Sequence, residues 1–475
     1  MPRLLALSSS ALTDRVLSHT ELLPCLAKFC EVKLWATSLA HPGNLAKWPS
    51  VPAAVEAFPQ VFPFKEFPIN YLRRLNEHSW DFRLRDPARL SMMRHIRDRQ
   101  QSLLIRLLKV PARLIAATRL HRSLEHGISV QMKAYSRSPE ALQRLREFRP
   151  DIVLTTGTFR NEEPAVAAAA MKMGIPVLAY ITSWDNISIK NRMVLAYDGY
   201  LVWSPRMKEE LESYYPRSRD VPVYVVGAPQ FDVFMQNEYR ESRQEFCARY
   251  GLRAENPIVL HALGLANGID EVQGAEELAA RVVRGELGDD VQLIIRPHPF
   301  YDNRRVLERF SKSGARVVVQ QTFDPETDRK HRHQDDERVR EWVNTFLHSD
   351  VLVQLSSTAA IDAAILDKPV VGMDYDPNPG QPSQLLINDV NHKWTHYKPV
   401  AESGGMWLVG TPDEMVQAIR AYLQNPGLHR ERRRWMAEYV CGPLDGRAAR
   451  RMAQAIQQFL VHVGVAVKAE SIAAV

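Results

Sequence analysis

Short apolar runs recur along this chain, and stretches of helical length separate them. The first half holds RLLAL (3–7), VKLWAT (32–37), IVLTT (152–156), PVLAYI (176–181), GYLVW (199–203) and VPVYVV (221–226). The second half holds IVLHA (258–262), VQLII (291–295), ARVVVQ (315–320), VLVQL (351–355) and PVVGMDY (369–375). Continuous apolar runs of this length, without polar alternation, suit strands buried on both faces, as in parallel sheets covered by helices. The pattern predicts an α/β protein with two doubly wound domains. A polar helical stretch after GAPQFDVF (227–234) separates the two series. It divides the chain into an N-terminal domain at 1–235, a C-terminal domain at 236–440, and a helix and tail at 441–475. Residues 38–75 read as loops, and 76–147 as a helical insertion broken at Pro111.

Bulk composition excludes several classes. The 475 residues are 45% hydrophobic and 24% charged, ordinary for a globular protein. Cys25, Cys30, Cys247 and Cys441 are scattered, which supports neither a disulfide framework nor a zinc site. No apolar run approaches the roughly 18 residues of a spanning helix, and the N-terminal run is too short for a signal peptide. The expected location is the cytoplasm. The net charge of +6 is local: residues 83–122 hold eleven Arg or Lys against two Asp. Within that segment LLIRLLKVPARLIAATRL interleaves apolar and basic residues at helical spacing. Such a helix fits peripheral contact with an anionic membrane at its inner face, or simply an ordinary core face with solvated arginines. No nucleic-acid-binding motif accompanies it.

In open parallel sheets ligands gather beyond the carboxyl ends of the strands, and between two such domains the cleft is the expected site. Three strand ends in the second series carry suitable chemistry. Arg296-Pro297-His298-Pro299 follows VQLII. Two prolines fix the backbone on either side of His298, which aims a side chain able to bond a phosphate oxygen or move a proton, or which merely ends a strand. Ser356-Ser357-Thr358 follows VLVQL and opens a helix, where hydroxyls cap the first turn and the unpaired amides suit phosphate. The loop Gly264–Glu271, with Asn267 and Gly268, follows IVLHA and leaves room for a nucleotide. Neither GxxxxGK[ST] nor GxGxxG is present.

In the first series, Glu162 and Glu163 follow IVLTT. They are candidate bases for an acceptor hydroxyl, or acidic residues of a helix's first turn. Trp184-Asp185-Asn186, with Lys190, follow PVLAYI; Asp185 is either a base or an Asx cap. Among the histidines, His331, His333, His348, His392 and His396 lack metal-ligand spacing, and no metal is expected. HKWTHY (392–397) reads as a loop at the cleft.

An HP dipeptide after one strand and an SS/ST pair after a later one resemble the GT-B glycosyltransferases. The likeness is to groups that include bacterial sialyltransferases, Kdo transferases and CDP-glycerol glycerophosphotransferases. SDVLVQLSSTAAIDAAILDKPVVGMDYD (349–376) is similar to their donor-side segment. SWDNISIKN (183–191) and GPLDGRAARRMA resemble relatives acting on surface carbohydrate. The resemblance covers about residues 150–460. It implies two Rossmann-like domains facing a central cleft, with Arg296, His298, Ser356, Ser357 and Thr358 at the donor phosphate and Gly264, Asn267 and Gly268 at the nucleotide. Trp184, Asn186 and Lys190 fall on the acceptor side, with Asp185, Glu162 or Glu163 as base. The acidic pair before Gly that supplies the sialyltransferase base is missing.

The expected activity is metal-independent transfer of a sugar from a CMP-, CDP- or UDP-linked donor to a surface-glycan or lipid-linked acceptor, without a cofactor. The alternatives are a CDP-alditol phosphotransferase, a UDP-sugar epimerase, or a non-catalytic scaffold of the same fold.

Overall fold

A computed structural model describes residues 1–48, 51–62, 69–97, 102–118, 120–134, 138–159, 162–264, 269–299, 304–310, 314–322, 335–378 and 383–467. Within them the chain builds two parallel sheets. The first contains β1 (Arg3–Ser8), β2 (Glu31–Ala36), β3 (Ala54–Ala57), β4 (Ile152–Thr155), β5 (Val177–Tyr180), β6 (Gly199–Val202) and β7 (Val223–Val225). Their order is β3-β2-β1-β4-β5-β6-β7. The second contains β8 (Ile258–Ala262), β9 (Gln292–Arg296), β10 (Val317–Val319), β11 (Val351–Gln354), β12 (Val370–Met373) and β13 (Trp407–Val409). Their order is β10-β9-β8-β11-β12-β13. Each sheet grows outward on one side of its first strand, then crosses to the other side. The topological switch points therefore lie between β1 and β4, and between β8 and β11. Every residue of the central strands β4, β5, β8 and β11 is buried, which explains their unbroken apolar character.

Two compact units carry these sheets, and they divide between Asp232 and Val233. The chain from Cys441 onward, expected as a helix and tail, belongs to the first unit. Helix Ala448–His462 is anchored there by Asp232, whose two carboxyl oxygens accept from the amides of Ala448 (3.1 Å) and Ala449 (2.8 Å). Burial pushes this carboxyl up to about 6, against the pull of those two amides.

The stretch expected as loops at 38–75 contains the short helix Pro42–Leu45, strand β3 and the start of helix Ile69–Leu84. The insertion is helical, but its break differs from the one expected. Helix Leu103–Leu107 gives way to helix Lys109–Ala117 at Leu108. Pro111 lies in the first turn of the second helix, where its missing N–H removes no helical bond.

His261 is fully buried in β8, and neither ring nitrogen has a hydrogen-bond partner. Burial pushes its pKa down to about 4. The unfolded chain therefore binds a proton that the folded chain refuses. Stability is complete above the unfolded value of about 6.5 and falls as pH drops towards 4, by up to roughly 3 kcal/mol. In His261→Phe, urea midpoints measured between about pH 7 and pH 4.5 should fall less steeply than in wild type. Equal slopes would show that the ring does not titrate on unfolding.

Candidate functional site

The register of β9, β8 and β11 sets the site. Arg296 pairs with Ala262, and Ala262 with Gln354, so the three strands end side by side. His298, Gly264 and Ser356 each follow two residues beyond those ends. Adjacent strands lie about 4.8 Å apart, so the His298 and Ser356 turns stand roughly 10 Å apart with Gly264 between them. This is the carboxyl edge at the second sheet's switch point.

The half-buried His298 sits on a braced turn. Thr322 Oγ1 donates to the Pro297 carbonyl at 2.9 Å, and the Leu263 amide donates to the Arg296 carbonyl at 2.9 Å. Arg296 itself is committed elsewhere: its Nη1 donates to Gln320 Oε1 (2.7 Å) and lies 3.7 Å from Glu341. That arrangement holds the strand end more directly than it offers a phosphate contact.

Ser356 takes φ +47°, a left-handed conformation that costs a side-chain-bearing residue about 1 kcal/mol or more. Two side chains hold it there. Ser356 Oγ donates to Asn391 Oδ1 at 2.8 Å, and the Ser357 amide donates to Gln354 Oε1 at 2.6 Å. Ser357 Oγ accepts from the Ala359 amide at 3.3 Å, so this serine caps the helix Ala359–Ile365. Thr358 makes no side-chain cap and is exposed. The helix has seven residues, so its macrodipole is small, and local amides and hydroxyls carry most of the attraction for an anion.

Gly264 lies close against the Glu271 carboxyl. A Cβ there would lie 2.8 Å from Glu271 Oε1. The Gly264 amide donates to that oxygen at 3.0 Å, while the buried Oε2 has no partner. Burial pushes the Glu271 carboxyl up to about 8, opposed by the Gly264 amide. Asn267 and Gly268 lie outside the described residues. Gln354, Asn391 and Glu271 were not singled out from the sequence. A polar residue ending the apolar run VLVQL was the available signal for Gln354. Asn391 immediately precedes HKWTHY, whose first two residues close helix Gln384–Lys393 instead of lying in a loop.

In the first unit, Glu163 spans the switch point between β1 and β4. Its Oε1 accepts from the Ser9 amide (2.8 Å) and Ser9 Oγ (2.7 Å). Its Oε2 accepts from Thr155 Oγ1 (2.8 Å) and the amides of Thr156 (2.8 Å) and Gly157 (2.6 Å). These bonds give it a structural task. Glu162 is exposed at the start of helix Glu162–Lys172. Asp185 precedes helix Asn186–Ile189 and is half-buried, with no cap bond from its side chain. Trp184 is buried, its carbonyl accepting from Arg206 Nη1 at 3.3 Å. Asn186 Nδ2 donates to Thr182 Oγ1 at 3.2 Å, and Lys190 is exposed.

Solved structures share this architecture. The UDP co-structure of S. aureus MnaA is 15% identical, with 97% of each chain covered and a TM-score of 0.54. The UDP-GlcNAc 2-epimerase of Methanocaldococcus jannaschii is 12% identical, covering 96% of this chain and 100% of its own, with a TM-score of 0.53. The Neisseria meningitidis UDP-GlcNAc 2-epimerase bound to UDP-GlcNAc is 13% identical, with coverage of 96% and 100% and a TM-score of 0.50. At these identities the likeness establishes the two-domain GT-B fold. No curated protein matches the sequence. Residues 166–458 match the family described as CDP-glycerol:poly(glycerophosphate) glycerophosphotransferase. That span takes in β5 to β13 and every strand-end motif of the second unit, and the chain belongs to this family of transferases.

Proposed function

We propose that the chain transfers an alditol phosphate from a CDP-activated donor to a hydroxyl of a surface-polymer or lipid-linked acceptor. The observation that carries this reading is the flush alignment of His298, Gly264 and Ser356 beyond β9, β8 and β11. A histidine and a hydroxyl-rich turn thereby flank the Gly264 strand end, which supports reading them as phosphate contacts. The acceptor oxygen attacks the distal phosphorus, the P–O bond to the nucleotide breaks, and CMP leaves with the bonding electrons. Charge grows on the departing phosphate, and His298 with the 356–358 turn is placed to stabilise it. Asp185, whose carboxylate caps nothing, is the proposed base for the acceptor proton. In the second reading a sugar moves instead, and the broken bond is the one to its anomeric carbon.

A thermal-shift series with CMP, CDP, UDP, GDP and ADP tests the donor class. A nucleotide present at 100 times its Kd adds about 2.7 kcal/mol to stability. A response confined to cytidine nucleotides, with CMP released from CDP-glycerol, supports phosphotransfer. A response to UDP alone moves the assignment to sugar transfer. No response to any nucleotide favours a scaffold.

The reading includes a position at an anionic membrane surface. On helices Leu103–Leu107 and Lys109–Ala117 the small residues Ala112 and Ala116 are buried, and the latter helix packs on helix Ile69–Leu84. Leu103, Leu104, Leu107, Val110 and Leu114 point outward with 56% to 71% of their surface exposed. No acidic residue occurs from 99 to 124. Large apolar residues facing water among cations suit insertion below lipid headgroups. Leu107→Gln with Leu114→Gln should weaken sedimentation with phosphatidylglycerol vesicles roughly tenfold or more, since each leucine contributes about 1–2 kcal/mol when inserted. Unchanged sedimentation would exclude this surface.

A further inference from the structure

A cleft in the first unit is lined by Arg73, Arg74, Asn76 and Glu77 of helix Ile69–Leu84 and by Asn191 and Arg192, just after helix Asn186–Ile189. Its enclosed space is small, about 10 Å³, and it opens to solvent at its mouth. Arg192 is only 5% exposed, and its position is fixed on three sides. Its guanidinium lies 3.6 Å from the centroid of the Trp80 ring and 4.4 Å from that of Tyr215. Its Nε donates to Glu125 at 2.5 Å. The two terminal nitrogens, Nη1 and Nη2, are buried without a hydrogen-bond partner. Four N–H bonds are thus turned away from water and given nothing to bond, an arrangement that is costly unless an acceptor arrives.

The neighbours strengthen the case. Burial, followed by the charge of Arg74, pushes the Arg73 guanidinium down to about 10, so this cation gains from an anion nearby. Arg74 is paired with Glu77 at 2.8 Å. The buried Asn76 Oδ1 also lacks a partner, and an amide turned over at that position would present its N–H₂ group instead. Three guanidiniums meet two carboxylates here, Glu77 and Glu125. A stacked guanidinium whose open edge carries two parallel donors matches two oxygens of one tetrahedral oxyanion.

We propose that this cleft is an anion site that holds a phosphate group on the Nη edge of Arg192, with Arg73 and Asn76 completing its contacts. The loop that carries Arg192 continues directly from the SWDN segment after β5. A phosphate already present in the acceptor is therefore the favoured occupant; that assignment rests on the transferase reading, whereas the anion site does not.

The test is calorimetric titration of wild type, Arg192→Lys and Arg73→Gln with inorganic phosphate and with glycerol 3-phosphate, at constant ionic strength. Arg192→Lys keeps the charge and removes the paired donors. Binding should weaken at least tenfold in both variants, while binding of a nucleotide to the second unit is unchanged. If Arg192→Lys fails to fold, Arg73→Gln decides alone. Equal phosphate affinity in wild type and variants, or no binding in any, overturns the site. Tighter binding of glycerol 3-phosphate than of phosphate supports the acceptor assignment, and the reverse order overturns that assignment in favour of free phosphate. Loss of nucleotide response with phosphate binding intact would remove the transferase reading and leave the anion site standing.

Discussion

His298→Ala should lower turnover by about a hundredfold to a thousandfold, the usual effect of removing one donor that stabilises developing negative charge. The thermal transition should barely move. The turn's backbone is held by bonds that do not involve the imidazole: Thr322 Oγ1 donates to the Pro297 carbonyl, the Leu263 amide donates to the Arg296 carbonyl, and two prolines restrict the dihedrals on either side. The side chain is half-buried, so its loss should change stability by no more than about 1 kcal/mol. His298→Gln separates two roles. Glutamine keeps an N–H donor and cannot move a proton at neutral pH. Partial recovery in His298→Gln indicates stabilisation of the phosphate; equal loss in both variants indicates proton transfer. Near-normal turnover in His298→Ala would place the chemistry elsewhere.

Arg89→Met should be the most destabilising single change in the helical insertion, by roughly 3–5 kcal/mol. Arg89 and Asp81 are both fully buried, with Nη1 donating to Asp81 Oδ1 at 2.9 Å. Nη2 donates to the Ile187 carbonyl at 2.8 Å, inside the short helix that follows Asp185. Methionine fills much of the volume but leaves Asp81 without this cation and the Ile187 carbonyl without this donor. For a unit of this size the melting temperature should fall by about 10 °C. Arg89→Met combined with Asp81→Leu should recover a large part of that loss, because no uncompensated charge remains. A double variant as unstable as the single one would show that the Ile187 bond, not the ion pair, matters. Of the two substitutions only Arg89→Met removes the Ile187 bond, which reaches the segment carrying Trp184, Asp185 and Asn186.

The central strands were legible because they are buried on both faces, and the edge strands β7 and β10 because unbroken valine-rich runs carry them. Edge strands β3 and β13 were not. AVEA and WLV are only three or four residues long, too short for either a run or an alternation to stand out. Motif positions were legible, but the alignment that brings them to one sheet edge was not. That His298, Gly264 and Ser356 follow strand ends in register depends on pairing between distant segments. Arg192 illustrates the same limit. Its stacking partners Trp80 and Tyr215 and its carboxylate Glu125 come from separate stretches of sequence, and nothing local to Arg192 marks it as buried. For Glu163, an acidic first turn and a catalytic base look alike until Ser9, 154 residues away, is seen against its carboxyl.

Glu163 also sets the two sheets apart in their valence for ligands. They share one winding order, and each has a crevice where the winding reverses. In the first sheet that crevice already encloses a tethered carboxyl group, gripped by amides and hydroxyls from both flanking strand ends. The chain thus fills that crevice with an anionic group of its own. Duplicated architecture need not mean duplicated occupancy, and a nucleotide titration should saturate at one equivalent per chain.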